Sequence, residues 1–90
     1  MPERWQLAPD QAEKYERYVA SWFEQLAFDL VTRAELEHGA RVLDLACGTG
    51  IVTRVAAPVF GPSGSIVGAD LNEGMLGEAA RHPPAGAAVE

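Results

Sequence analysis

The spacing of apolar residues changes character partway along the chain. Between residues 10 and 37, Tyr15, Tyr18, Trp22, Leu26 and Leu30 recur every three or four positions, which marks one apolar stripe on helical structure. Asp10 with Glu13, and Ser21 with Glu24, are Asp/Ser-x-x-Glu patterns. In such patterns a side-chain oxygen can accept the orphan amides of a helix start. They predict two helices, at about 10–19 and 22–37, with Gly39 placed to end the second. The stripe reads as core packing, with a substrate wall as its competing role.

From Arg41 the pattern becomes that of strands. Arg41-Val42-Leu43-Asp44-Leu45 is short and mostly apolar, and the small-residue turn Ala46-Cys47-Gly48-Thr49-Gly50 follows it directly. A helix is expected over 51–57, with Pro58 kinking or ending it before the breaker cluster Gly61-Pro62-Ser63-Gly64. Ser65-Ile66-Val67-Gly68-Ala69 reads as a second strand reaching Asp70. Asn72 can cap a helix through about Arg81, stopped by His82-Pro83-Pro84, and Ala87-Ala88-Val89-Glu90 reads as the opening of a third strand. Residues 1–9 read as a loose arm closed by Pro9.

The order helix–helix–strand–helix–strand–helix–(strand) requires parallel pairing, because only crossover helices join the strands. Parallel sheets are normally covered on both faces. The expected fold is therefore α/β, a Rossmann-like parallel sheet with two N-terminal helices, amounting to about half of a doubly wound domain. Ninety residues allow one small domain at most, and a chain of that length encloses a large active site poorly.

The chemistry concentrates in Val42-Leu43-Asp44-Leu45-Ala46-Cys47-Gly48-Thr49-Gly50 and in Asp70, twenty residues beyond Gly50. A glycine-rich turn from strand to helix lets a ligand approach the backbone at the carboxyl edge of the sheet. An acid at the end of the next strand can accept hydrogen bonds from both hydroxyls of a ribose, each worth roughly 1.5–3 kcal/mol before losses. A dinucleotide fingerprint would be Gly-x-Gly-x-x-Gly. Here the frame runs Gly48-Thr49-Gly50-Ile51-Val52-Thr53, without the third glycine. The Asp44 charge would oppose a pyrophosphate and favour a ligand carrying an ammonium and a sulfonium.

On these residues the sequence resembles the class I S-adenosylmethionine-dependent methyltransferases over roughly residues 10–90. VLDLACGTG stands as the family's first motif and GADLNEGML as its second. Within that family it looks most like the small-molecule group that includes quinone-biosynthesis methyltransferases. Ala46 departs from the pattern, since many members have a glycine there. The resemblance implies a helical cap over 10–37 and a cofactor-binding βαβα unit over 40–90. It makes Asp44 a partner for the methionine end of the cofactor, direct or through water. Ala46, Cys47, Gly48 and Gly50 would form the turn beneath that end. Asp70 would hold the ribose, Leu71 would pack on the adenine, Met75 would lie behind the adenosine, and Tyr18 and Tyr15 would reach it from the cap. No catalytic base is identified. In the family that residue and the substrate pocket come largely from the second half of the sheet, which would lie beyond Glu90.

Each residue has a plainer reading too. The turn could be an ordinary tight connection. Asp70 could cap the next helix, a role for which Asn72 competes. Cys47 reads better as a small buried residue than as a nucleophile, having no basic neighbour in sequence to lower its pKa. Met75 and Leu76 read as core first, His38 as a contact at a helix end, and His82 as a turn residue. There is no metal-ligand spacing.

Charge and cysteine usage narrow the partners. Seven basic against thirteen acidic residues give a formal charge of −6, which disfavours nucleic acid and anionic membrane surfaces. The resemblance, rather than the charge, implies a small-molecule acceptor. Cys47 is the single cysteine and no signal-peptide core opens the chain, which together predict a cytoplasmic protein. An incomplete sheet would leave the first strand with an unpaired edge that invites self-association or a partner chain, and a chain inactive by itself. A truncated, non-catalytic binding subunit and a fragment of an NAD-dependent oxidoreductase remain as alternatives.

Overall fold

The computed structural model describes residues 5–84 and the backbone at 88–89. Its elements are α1 (Pro9–Tyr18), a 3-10 turn (Ala20–Phe23), α2 (Glu24–Ala34), β1 (Arg41–Leu45), α3 (Ile51–Phe60), β2 (Ser65–Ala69), α4 (Glu73–Arg81) and β3 (Ala88–Val89). The strands form one parallel sheet in the order β1-β2-β3. Arg41 stands opposite Ser65 and Leu45 opposite Ala69, while Ser65 and Ile66 stand opposite Ala88 and Val89. The α/β class and the Rossmann-like order expected from the sequence are present. Residues 87 and 90 of the expected third strand lie outside the described residues.

Several boundaries differ from expectation, each for a local reason. Helix α1 starts at Pro9, not Asp10: the Gln11 Oε1 accepts the Ala8 amide at 2.9 Å, and a proline at the first helical position lacks the amide that would go unpaired anyway. Ser21 caps nothing, because 20–23 tighten into the 3-10 turn and α2 starts without a side-chain cap. Helix α2 stops at Ala34 rather than near 37. Glu35 takes a left-handed conformation there (φ 53°), and Gly39, expected to end the helix, instead donates its amide to the Phe60 carbonyl at 2.8 Å. Residues 36–40 are needed to lead the chain back to β1. Pro58 lies inside α3, which continues to Phe60. Complete burial of the Phe60 ring and the Gly61 amide on the Ala57 carbonyl at 3.0 Å hold that last turn, offsetting the amide that proline lacks.

The core is built on Val31, Ala56, Ala57, Phe60 and Ile66, with Leu36, Ala40, Val42, Val52 and Val55 packed around it. Helix α2 lies on α3, α3 on β1 and β2, and α1 on α4. The aromatic stripe is not the core. Tyr18, Leu26 and Leu30 are exposed and Trp22 is 79% exposed, whereas Ala20, Ala27 and Val31 on another face are buried. Small side chains let α2 approach Ala56 and Ala57 closely, so the face of modest hydrophobicity turns inward. The sheet is likewise covered on one face only: Leu43 and Val67 are exposed and Leu45 is 77% exposed. Residues 5–7 are not a loose arm, since they hydrogen-bond to the segment Leu71–Glu73 at the start of α4. Among the described residues, no helix is long and apolar enough to cross a membrane.

Candidate functional site

The site lies where β1 and β2 end. After Leu45 the chain turns sharply, with Ala46 (φ 59°), Gly48 (φ 57°) and Gly50 (φ 93°) all in the left-handed region. Glycine adopts that region freely, while an alanine does so at a cost of about 1–2 kcal/mol. The Cys47 amide donates to the Ala69 carbonyl at 3.0 Å, extending the β1–β2 pairing by one step, and the Gly50 carbonyl accepts the Arg54 amide at 2.9 Å to open α3.

Asp70 ties the two motifs together. Its Oδ2 accepts the Gly48 amide and its Oδ1 the Asn72 amide, each at 2.8 Å. Helix α4 is capped by Asn72, whose Oδ1 accepts the Met75 amide at 3.2 Å. The competition between Asp70 and Asn72 is thus resolved: Asn72 caps, and Asp70 joins the glycine turn to the second loop. An ionised carboxylate offers about four lone-pair directions. Two are used here, which leaves acceptor capacity for two hydroxyls.

A hollow of about 360 Å³ opens at this edge, lined by Leu45, Ala46, Ala69, Asp70 and Leu71. Leu71 projects into solvent, 84% exposed. A Cβ added at Gly48 would meet open space, so the turn has a bare flank on which a ligand can lie. A larger hollow of about 440 Å³ lies on Gly68 between α3 and α4, with Cys47, Gly50, Thr53 and His82 in its lining. It includes neither acid, so the smaller hollow is the candidate ligand site.

The other expected residues fall around it. Asp44 accepts the Thr53 hydroxyl at 2.7 Å and lines a third hollow, between α2 and β1, with Leu30 and Leu45. Met75 is half-buried in the first turn of α4. Tyr18 stands exposed at the end of α1, with the Arg17 guanidinium 5.9 Å from its ring centre. Cys47 is buried, and burial together with the charges of Asp44 and Asp70 pushes its thiol pKa up. The thiol therefore stays protonated at neutral pH.

Sequence reasoning missed the residues that brace the turn. Glu16 of α1 accepts the buried Thr49 hydroxyl at 2.7 Å and pairs with Arg54, whose Nη1 donates to the Thr49 carbonyl at 2.7 Å. Thr49 and Thr53 stand inside or beside the motif and could have been singled out as hydroxyls at a ligand turn. Glu16 carries no signal, being 33 residues from its partner. His82 contacts Glu78, a buried carboxylate that also pairs with Arg81.

A glycine turn at the carboxyl edge of a parallel sheet, with an acid at the end of the second strand, is the arrangement of a Rossmann-like α/β unit. The chain belongs to the methyltransferase-domain family, whose model matches residues 42–90. It is 30% identical over 87 residues to the demethylmenaquinone methyltransferase of Symbiobacterium thermophilum, covering 76% of this chain and 35% of that protein. To the ubiquinone/menaquinone biosynthesis C-methyltransferase of Coxiella burnetii it is 38% identical over 58 residues, covering 64% and 22%. To the Ectopseudomonas mendocina protein of that name it is 55% identical over 38 residues, covering 42% and 15%. The chain thus spans about a third or less of the length of these curated relatives.

Proposed function

We propose that these residues form the S-adenosylmethionine-binding half of a methyltransferase acting on a small-molecule acceptor, of the kind named for the quinone-biosynthesis relatives. The observation that carries this reading is the Asp70 carboxylate seated on the Gly48 amide at 2.8 Å, with spare acceptor capacity beside the hollow. Asp70 would accept the ribose hydroxyls and Leu71 would cover the adenine, exchanging an exposed leucine for a buried one. The turn at Ala46–Gly50, with Asp44 behind it, would face the methionine end.

S-adenosylmethionine supplies a methyl group on a sulfonium, and its transfer to a nucleophilic acceptor leaves a neutral thioether. The task of this chain is to bind and orient. Orientation of donor and acceptor is worth about 7–11 kcal/mol in favourable cases. The negative field at Asp44 and Asp70 favours the cationic donor over its neutral product, which assists exchange after transfer. A cytoplasmic setting is part of the proposal, and so is self-association or a partner chain along β1. Leu43 and Leu45, exposed on the uncovered face of that strand, support the latter. The same uncovered face favours, as a second reading, a non-catalytic binding subunit that supports a partner.

Parallel calorimetric titrations of the full chain with S-adenosylhomocysteine and with NAD test the ligand. Tighter binding of S-adenosylhomocysteine is expected. Tighter binding of NAD would overturn the assignment in favour of an oxidoreductase fragment.

A further inference from the structure

The segment ahead of α1 does more than enter the fold. Gln6 donates from Nε2 to the Leu71 carbonyl and accepts the Glu73 amide on Oε1, both at 2.8 Å. Asn72 donates from Nδ2 to the Trp5 carbonyl at 2.7 Å and accepts the Leu7 amide on Oδ1 at 3.3 Å. These four bonds join residues 65 to 67 positions apart. The strap sits so close to α4 that a Cβ at Gly74 would run into the Leu7 carbonyl. Ten residues further on, Glu16 holds Thr49 of the glycine turn and Arg54 of α3.

One continuous segment therefore grips both loops of the site. Leu71 is the telling case. With its side chain 84% exposed it has little packing of its own, so its position is set through the backbone, and its carbonyl is held by Gln6. Asn72, next in the chain, is committed to the strap and to the cap of α4 at once.

We propose that residues 5–16 act as a two-point clasp that positions the cofactor site. Gln6 and Asn72 set the Asp70–Leu71 loop at one end, and Glu16 sets the glycine turn through Thr49 and Arg54 at the other. They are positioning residues, acting through loops that would touch the ligand, and the inference rests on the cofactor reading above. With the strap undocked, the loop samples other conformations. Apparent affinity then falls by the fraction of time the loop is competent.

Gly74→Ala separates this role from simple structural support. The added methyl displaces the strap, while alanine is the better helix former. S-adenosylhomocysteine should bind about tenfold more weakly with the melting temperature kept. Gln6→Ala, which removes two strap bonds and leaves the Asn72 cap of α4 in place, should weaken binding in the same direction and serves if Gly74→Ala does not fold. Coupling is reciprocal, so S-adenosylhomocysteine must also slow hydrogen exchange of the Glu73 amide in the unmodified chain. Wild-type affinity in both variants, or Glu73 exchange indifferent to saturating ligand, overturns the clasp and leaves the cofactor reading intact. An unmodified chain that binds no S-adenosylhomocysteine overturns both.

Discussion

The glycine turn and the outer face of the N-terminal helices use their residues in opposite ways. At the turn, short side chains are fully engaged: Thr49 is buried and bonded to Glu16, Thr53 is buried and bonded to Asp44, and both oxygens of Asp70 accept amides. On the outer face, Tyr18, Trp22, Leu26 and Leu30 carry large apolar side chains and remain exposed. The burial that holds the helices is left to Ala12, Ala20, Ala27 and Val31. Depth in this fold follows from how closely two backbones approach, and only afterwards from how apolar a side chain is. The turn is complete within the chain, whereas the outer face presents surface outward.

The largest effect that tests this contrast lies in the core shared by α3 and β2. Phe60 is fully buried against Ile66 and its neighbours. Phe60→Ala should cost about 3–5 kcal/mol, from lost burial and the cavity left behind, read by denaturant unfolding. A cost below 1 kcal/mol would mean that the packed side of the contrast is not what holds the chain together.

Next is Asp70→Ala. It removes the carboxylate proposed for the ribose and also orphans the amides of Gly48 and Asn72. Affinity for S-adenosylhomocysteine should fall by about 1.5–3 kcal/mol, or roughly ten- to a hundredfold, measured by calorimetry. Unchanged affinity would remove Asp70 from the site.

Legibility in the sequence divides along the same line. Strand, turn and helix from Arg41 to Arg81 could be read because they are encoded locally: short, mostly apolar runs of five residues, glycines where the backbone must turn left-handed, and an Asn at a helix start. Parallel topology brings the glycine turn and Asp70 to one edge of the sheet, whereas the bond from the Gly48 amide to Asp70 is visible only in the structure. What could not be read depends on contacts distant in sequence. Nothing around Glu16 announces that it will reach Thr49, and nothing in Trp5-Gln6-Leu7 announces a strap on Asn72. The stripe was visible but its direction was not, because periodicity says that a face exists without saying which of two faces is closer to the sheet. The end of α2 was misplaced since Gly39 looks like a helix terminator, while its amide serves the end of α3.

A smaller effect belongs to the turn. Ala46 holds φ 59° where glycine would be unstrained. Ala46→Gly should therefore stabilise the chain by about 0.5–1 kcal/mol, the relief of left-handed strain less the entropy that glycine adds to the unfolded state. Thermal unfolding measures it. A loss of stability would show that the methyl group, which lines the hollow, contributes packing that outweighs its backbone strain.

The smallest expected change in stability is at Trp22, and it bears most directly on the outer face. The indole is 79% exposed and sits on the 3-10 turn rather than in the core. Trp22→Ala should stay within about 0.5 kcal/mol of the unmodified chain, as substitutions at exposed positions do. Association separates the two exposed regions where stability cannot. If copies meet on β1, whose pairing among the described residues is with β2 alone, light scattering should report self-association unchanged in Trp22→Ala and reduced in Leu45→Lys, since a lysine on an edge strand opposes association there. The reverse result would move the contact from the sheet to the helical stripe. The aromatic face would then be the surface that a second chain covers, and the strand edge an ordinary boundary of the sheet.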